Sequence, residues 1–436
     1  LARVQAHLLQ VRRRNGLPPP PIGSSVIVAV GIRRRHPSAA ADRSSRDGNR
    51  PYSDGCASEN GSGTGSAWSG GMSRGVDRAA PPFCPNPRCR FHANPEGWRF
   101  KKKGFFLRQA APRRIQRYRC SHCGRSFSSQ TFDPTYWLKR PEVLAGLLYR
   151  LLACSGFRQI ARELGIAPTT VLGQVERLGR HCLLFHERHR PRGPLGEPLV
   201  VDGFESFEFS QYHPLHFHTA VGAHSQFFYA FTDSELRRKG RMTAHQKKRR
   251  AELEARLGRP DPRSIEREMA ALVALVVPAG EEAEIRSDEH PAYPRALQHL
   301  DDRKLRHRVT SSKKPRTPQN PLFPVNLLDL LIRHSSANHK RETIAFSKRR
   351  QSAAYRLALL LVWRNYMKSV SERRQDETPA QRLGIFPRKL GVADLLQERM
   401  FPTRFALPER IAQYYWRRIP TRRIPNAPEH HLAYAA

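Results

Sequence analysis

Apolar positions are sparse and unpatterned from residue 1 to about 80, then fall into recognisable periods. The clearest alternating run is Pro198-Leu-Val-Val-Asp202-Gly-Phe-Glu-Ser-Phe-Glu208-Phe. It predicts a strand of apolar and aromatic residues with one carboxylate near its start. Leu215-His-Phe-His-Thr-Ala-Val-Gly222 and Gln226-Phe-Phe-Tyr-Ala-Phe231 predict two more strands, paired as an antiparallel hairpin. Residues 234 to about 280 predict highly charged helix. Glu284-Ile-Arg-Ser-Asp288 then predicts a short strand ending at an acid, with a helix after it. Asn326-Leu-Leu-Asp329-Leu-Leu-Ile-Arg333 reads as a helix, as does the apolar run Tyr355 to Tyr366. Upstream, Pro141 to about Cys182 carries helical spacing, with proline at the helix start. Beyond Glu372 the pattern weakens to a basic tail with short helices at best.

Within the upstream helical part, Gly156 to Leu178 reads as a helix, a tight turn at Gly165 and a second helix, which is a helix-turn-helix. In that geometry the second helix enters the major groove with its N-terminal residues on base edges. Thr169, Thr170, Gln174 and Arg177 are therefore candidate base contacts, with Arg158 on the first helix beside them. An ordinary helical hairpin is the competing reading.

Four of the seven cysteines fall in two close pairs, Cys84-x4-Cys89 and Cys120-x2-Cys123. Each pair can grip one metal from a tight knuckle, and four thiolates close a tetrahedral structural zinc site. Gly124 permits the left-handed turn that such a knuckle needs. Trp98, Phe100, Phe105, Phe106 and Tyr118 supply strand formers between the pairs, interleaved with Lys101 to Lys103, Arg113 and Arg114. The prediction is a zinc ribbon with a basic face. His92 and His122 are expected to be bystanders, because four cysteines already satisfy the metal. An odd cysteine count with paired spacing argues against a disulfide framework, and Cys154 and Cys182 are expected to be small core residues.

Charge narrows the partner. Lys plus Arg number 76 against 38 Asp plus Glu, a formal net charge of +38. Such a chain repels itself unless a polyanion neutralises it, so double-stranded DNA is the leading partner and an anionic membrane surface the second. No apolar run approaches the ~20 residues needed to span a bilayer. Ser24 to Val30 is too short for a signal peptide, and Arg33 to Arg35 follow it rather than precede it. We expect a soluble cytoplasmic protein associated with the nucleoid. Residues 1 to about 80 are rich in Pro, Gly, Ser and Arg and are expected to be disordered. The chain begins with Leu, and we expect native translation to start at Met72.

The acids carry the chemistry. A buried strand has little use for an unpaired Asp, because desolvating a charge is costly. A two-metal phosphoryl-transfer site needs three or four carboxylates around two Mg²⁺ (or Mn²⁺) ions roughly 4 Å apart. Asp202 and Asp288 suit adjacent parallel strands separated by a hairpin and a helical insertion. Side chains alternate along a strand, so Phe204, Ser206 and Glu208 share the face of Asp202 while Glu205 points away. Asp329, on an otherwise apolar helix, is the preferred third acid, and an Asp329–Arg333 ion pair at i, i+4 is its bland alternative. Glu342 is the alternative third acid, although among Lys340, Arg341 and Lys348 it also reads as surface charge balance. His216 and His218 share one strand face as metal ligands do, but a solvated strand face is the preferred reading. Arg237 to Arg241 and Lys247 to Arg250 offer cations to a phosphate backbone, or simply a solvated helix face.

The order of these parts is itself a pattern. Cys84-x4-Cys89, Arg117-Tyr-Arg-Cys120-Ser-His-Cys123-Gly-Arg-Ser-Phe127, a helix-turn-helix and a three-acid domain together resemble the DDE/DDD transposases of small bacterial insertion sequences that carry an N-terminal zinc ribbon. Arg341-Glu-Thr-Ile-Ala-Phe-Ser-Lys348 resembles the basic stretch after their third acid, which adds Lys340 and Arg341 as candidate DNA contacts. The resemblance covers about Phe83 to Met367. It implies an α/β, ribonuclease H-like catalytic domain, a mixed sheet flanked by helices. Asp202 is then on the first strand, Asp288 after the fourth and the third acid on a following helix. It also implies Mg²⁺-dependent cutting and joining of transposon ends by a homo-oligomer on DNA. Family members commonly show Asn-x-x-Glu at the third acid, whereas this chain has Asn326-x-x-Asp329. That leaves open a DDD enzyme, one that uses Glu342, or a decayed copy. The expected modules are a zinc ribbon at 81–132, a helix-turn-helix at 133–190, the catalytic domain at 197–370 and a basic tail at 371–436. The readings to weigh against it are a non-catalytic zinc-ribbon and helix-turn-helix regulator, and a general ribonuclease H-like nuclease, which has no need to read particular DNA ends.

Overall fold

The β-branched and aromatic runs form two sheets. In the first, β1 (Phe100–Leu107), β2 (Arg114–Cys120) and β3 (Ser126–Ser128) make a three-stranded antiparallel sheet beside the cysteine pairs. In the second, β4 (Leu199–Phe207), β5 (Pro214–Gly222), β6 (Phe228–Glu235), β7 (Glu282–Ser287) and β8 (Lys304–Val309) take the order β6-β5-β4-β7-β8. The hairpin partners β4, β5 and β6 are antiparallel, while β7 and β8 run parallel to β4. This five-stranded mixed sheet flanked by helices is consistent with a ribonuclease H-like fold.

The computed structural model describes residues 80–340, 343–373, 375–397 and 399–419, all within one compact unit that spans Ser73–Ala436. The expectations for residues 1–79, the Met72 start among them, and for Arg341 and Glu342 lie outside the described residues. Among the described residues, no helix is long and apolar enough to cross a membrane.

The helices are α1 (Glu142–Leu152), α2 (Phe157–Glu163), α3 (Pro168–His189), α4 (Ala244–Leu257), α5 (Ser264–Val276), α6 (Ala292–Gln298), α7 (Phe323–Ser335), α8 (Arg350–Val362) and α9 (Glu409–Tyr415), with several single turns between them. Strand alternation divides the sheet faces. On the Asp202 face, the Phe204 and Phe217 rings stack at 5.4 Å and both meet His339, just beyond α7. On the other face, α5 packs on β5 and β6, where Thr232 Oγ1 donates to the Glu268 carbonyl at 2.8 Å. The charged stretch predicted over 234–280 is thus two helices broken at Gly258, whose φ is +82°. The second of them is a core helix through Met269, Leu272 and Val273.

Two expectations change here. The second helix of the helix-turn-helix does not stop near Cys182 but runs to His189, and its C-terminal half packs against α8. Gly179 makes that approach available, since a Cβ there would stand 2.5 Å from the Tyr355 Cβ. His186, fully buried, donates from Nε2 to the Tyr229 carbonyl at 2.7 Å and ties this helix to the sheet. The described part of the expected basic tail is also core. Ile411 and Tyr414 are buried, Gln351 Nε2 donates to the Tyr414 carbonyl at 2.7 Å, and the Tyr414 hydroxyl donates to Asp233, which also pairs with Arg350. A few apolar residues spaced among many arginines hid this packing from the sequence pattern.

Candidate active site

Parallel pairing positions the first two acids. Leu199 pairs with Ile285 and Val200 with Arg286, and the same register carried two residues on sets Asp202 beside Asp288. Asp202 Oδ1 accepts from the Gly203 amide at 2.7 Å and faces the Tyr293 hydroxyl at 3.4 Å, while Asp288 Oδ1 accepts from the His290 amide at 3.0 Å. Burial, then the neighbouring charge of Asp288, pushes the Asp202 carboxyl up to about 6. Asp329 enters from α7. Burial, then the charge of Asp202, pushes its carboxyl up to about 8, although Arg333 and Arg316 pull the other way. Its Oδ1 is buried without a hydrogen-bond partner. The Tyr293 hydroxyl, near the start of α6, is held above the usual tyrosine range by burial and by Asp202, Asp288 and Asp329 together. Of the three acids, Asp202 faces this hydroxyl directly.

The three carboxylates do not close into one tight cluster. Among the described residues, the only group of three or more metal-ligating side chains with all ligand atoms within 4.8 Å of one another is the cysteine cluster. Bare like charges repel most strongly at contact, and a pair of cations about 4 Å apart needs acids spread around it.

The other acids and the paired histidines sort by burial. Arg333 does not cap the Asp329 Oδ1. Its guanidinium donates to the carbonyls of His339 at 2.6 Å and Glu205 at 3.1 Å. Glu205 is exposed, and Glu208 is buried as an acceptor for the Arg350 amide at 2.9 Å. His216 and His218 are not a solvated face: both are buried under α5, and His218 Nε2 bonds Ser234 Oγ at 3.0 Å. The helix that covers them is distant in sequence. Two residues near the acids had escaped notice. Tyr293 lies five positions past Asp288 on the next helix, and Arg316 lies in the exposed basic loop Lys313-Lys-Pro-Arg316. Their signals were an aromatic one turn after a strand-end acid and a cation cluster between the last strand and α7.

In the helix-turn-helix, Arg158 and Thr169 are exposed and Thr170 is half-buried. Gln174 and Arg177 correct the sequence reading. Gln174 is 3 % exposed and donates to the Arg140 carbonyl at 3.1 Å. Arg177 donates to the Pro134 carbonyl at 3.2 Å, and burial pulls its guanidinium down to about 10. Both face inward because this side of α3 packs under the connection from the ribbon. Lys340 is exposed.

The four cysteines meet as their spacing predicts, between the ends of β1, β2 and β3. Cys84 Sγ and Cys123 Sγ stand 3.6 Å apart. That is far beyond a disulfide bond of about 2.05 Å and close to the edge of about 3.8 Å expected for sulfurs 2.3 Å from one tetrahedral zinc. Trp98 Nε1 donates to Cys120 Sγ at 3.2 Å, the kind of outer bond that steadies a metal-bound thiolate. His92 has both ring nitrogens engaged elsewhere, with the Cys84 carbonyl at 2.8 Å and Thr403 Oγ1 at 2.9 Å. His122 Nδ1 lies 3.6 Å from Cys89 Sγ. This donor set fits zinc.

No family model matches the chain, and no curated protein matches it in sequence. Among solved structures, a cryo-EM structure of a simian T-cell lymphotropic virus intasome in complex with PP2A regulatory subunit B56 gamma is similar to it at 15% identity. That match covers 55% of this chain and 71% of the other, at a TM-score of 0.21, a level that carries no argument about fold or function.

Proposed function

We propose that this chain is a DNA transposase of the DDD type, which cuts and joins DNA at the ends of an insertion sequence. The observation that carries the reading is the gathering of Asp202, Asp288 and Asp329, with Asp329 Oδ1 buried and unpartnered. Burial raises the carboxyls of Asp202 and Asp329, a cost that a bound cation would offset, and acids perturbed in this way mark sites built for function. Asp202, Asp288 and Asp329 would hold two Mg²⁺ or Mn²⁺ ions. Bound there, the ions supply the charge that activates a water or 3′-hydroxyl and stabilises the leaving oxygen.

The chain's own residues do the rest. The body of β4 holds Asp202 and the end of the parallel strand β7 holds Asp288, and the Tyr293 hydroxyl orients the Asp202 carboxylate. Arg316 stands where its charge reaches both Asp202 and Asp329 and serves as a contact for the phosphate next to the cut. Arg158, Thr169 and Thr170 meet the duplex, and Lys340 adds a further cation to it. The four cysteines hold a structural zinc. Two chains on two DNA ends form the working assembly.

The test is cleavage of DNA carrying the element's terminal repeats, with and without Mg²⁺. Metal-dependent nicking that Asp202→Ala abolishes is expected. Absence of nicking, or equal nicking by Asp202→Ala, sinks the enzyme reading and leaves a DNA-binding protein.

A further inference from the structure

A cleft of about 710 Å³ opens between the cysteine ribbon and the segment that leads to α1. Its walls include Phe106 on β1, Arg117 on β2, Arg125 before β3, and Trp137 and Lys139 on the connecting segment. Trp137 is 67% exposed and Phe106 is 39% exposed. Trp137 also has a backbone φ of +61°, a left-handed conformation that a bulky side chain rarely adopts. Residues held in this way cluster where a ligand is gripped. Arg117, Arg125 and Lys139 are exposed and make no ion pair among the described residues, and no carboxylate lines the cleft. The remaining cations of the wall, Arg108 and Arg399, bond to Gln130 and to the Thr131 carbonyl and serve the wall itself.

An exposed indole with unpaired cations around it matches one chemistry closely. Aromatic faces stack nucleobases of any sequence, and flanking cations follow the phosphates. The size is right for a ligand of nucleotide dimensions, since such pockets run from about 300 to 1,000 Å³. A duplex cannot offer its bases to such a cleft, because they are stacked inside it. We propose that this cleft holds an unpaired stretch of DNA, with a base stacked on the Trp137 indole and phosphates on Arg117, Arg125 and Lys139. This rests on the DNA-cutting role proposed above and adds a strand-separated segment to what the chain grips.

The test uses the full zinc-loaded chain without added Mg²⁺ and reads fluorescence anisotropy. The probes are labelled (dT)12, an abasic strand of equal length and a 12-base-pair duplex. The base-bearing strand is expected to bind about 5- to 150-fold more tightly than the abasic one. Trp137→Ala should remove that difference, and Trp137→Phe should keep most of it. Arg117→Ala with Arg125→Ala should weaken both strands alike and flatten the salt dependence. Equal binding of the two strands by the unaltered protein, which needs no variant and so no assumption about folding, overturns the proposal. So does a Trp137→Ala variant that keeps full (dT)12 affinity, or one that only changes the sedimenting species and so assigns the surface to a second copy of the chain. Cleavage with Mg²⁺ is measured separately, so failure here leaves the cutting role standing, and the reverse also holds.

Discussion

Replacing Asp329 with Asn should make the metal-free protein more stable while destroying its activity. The folded carboxyl is pushed from its ordinary 3.8 up to about 8, first by burial and then by Asp202. Well below pH 3.8 both folded and unfolded states are protonated and nothing is lost. As pH rises from 4 toward 8, the unfolded chain ionises and the folded site resists, so stability falls by about 1.4 kcal/mol per pH unit. At pH 7 the cost is on the order of 4 kcal/mol, and at pH 5 it is under about 2 kcal/mol. An amide of the same shape escapes this cost but is itself partly unsatisfied in the site, so a net gain of about 2 kcal/mol at pH 7 is expected. Urea unfolding without added divalent metal, at pH 5 and pH 7, reads the difference. The gain should grow with pH, and Mg²⁺ should shrink it by stabilising the unaltered protein through binding. A variant that is less stable at pH 7, or one whose gain ignores both pH and Mg²⁺, would refute the picture of an uncompensated acid waiting for a cation.

The remaining predictions are simpler. Cys120→Ser should lower the zinc content measured by atomic absorption and loosen the ribbon, whereas Cys182→Ser should leave zinc unchanged. Gly179→Ala forces a Cβ to 2.5 Å from Tyr355; such overpacking costs about 1–3 kcal/mol and should lower the thermal midpoint by several degrees. Burial pulls the His186 imidazole down to about 3, so its neutral form stabilises the fold above pH 6.5 and this is lost as pH falls. The stability gap between the unaltered protein and His186→Gln should therefore shrink by about 2 kcal/mol between pH 6.5 and pH 5. A gap that widens on acidification would contradict this.

The sequence made some of this architecture legible and concealed the rest for physical reasons. Strands such as Leu199–Phe207 are legible because alternation against a buried face leaves a period of two. The neighbourhood of Asp202 and Asp288 follows from reading a hairpin and a crossover between two parallel strands. The cysteine cluster follows from spacing alone, since two knuckles and one metal admit few geometries. What stayed hidden depends on distant partners. His216 and His218 looked like a solvated pair because α5, which covers them, lies some fifty residues on. Gln174 and Arg177 looked like base contacts because helical phase does not say which polar face a connecting segment will cover. Ile411 and Tyr414 looked like part of a tail because their packing partners, β6 and α8, are far upstream. Arg316 carries no periodic signal, and only the folded loop brings its charge near the acids.

The account stands or falls on cations bound among Asp202, Asp288 and Asp329, and iron-directed cleavage of the polypeptide tests this without any knowledge of the DNA substrate. Fe²⁺ exchanged into the protein, with ascorbate and peroxide, releases hydroxyl radicals that cut the backbone nearest the ion. The account predicts three cuts, around residues 202, 288 and 329, suppressed by excess Mg²⁺ and absent from Asp202→Asn. Cuts confined to other segments, or cuts at these three sites that Mg²⁺ and Asp202→Asn leave unchanged, would contradict it.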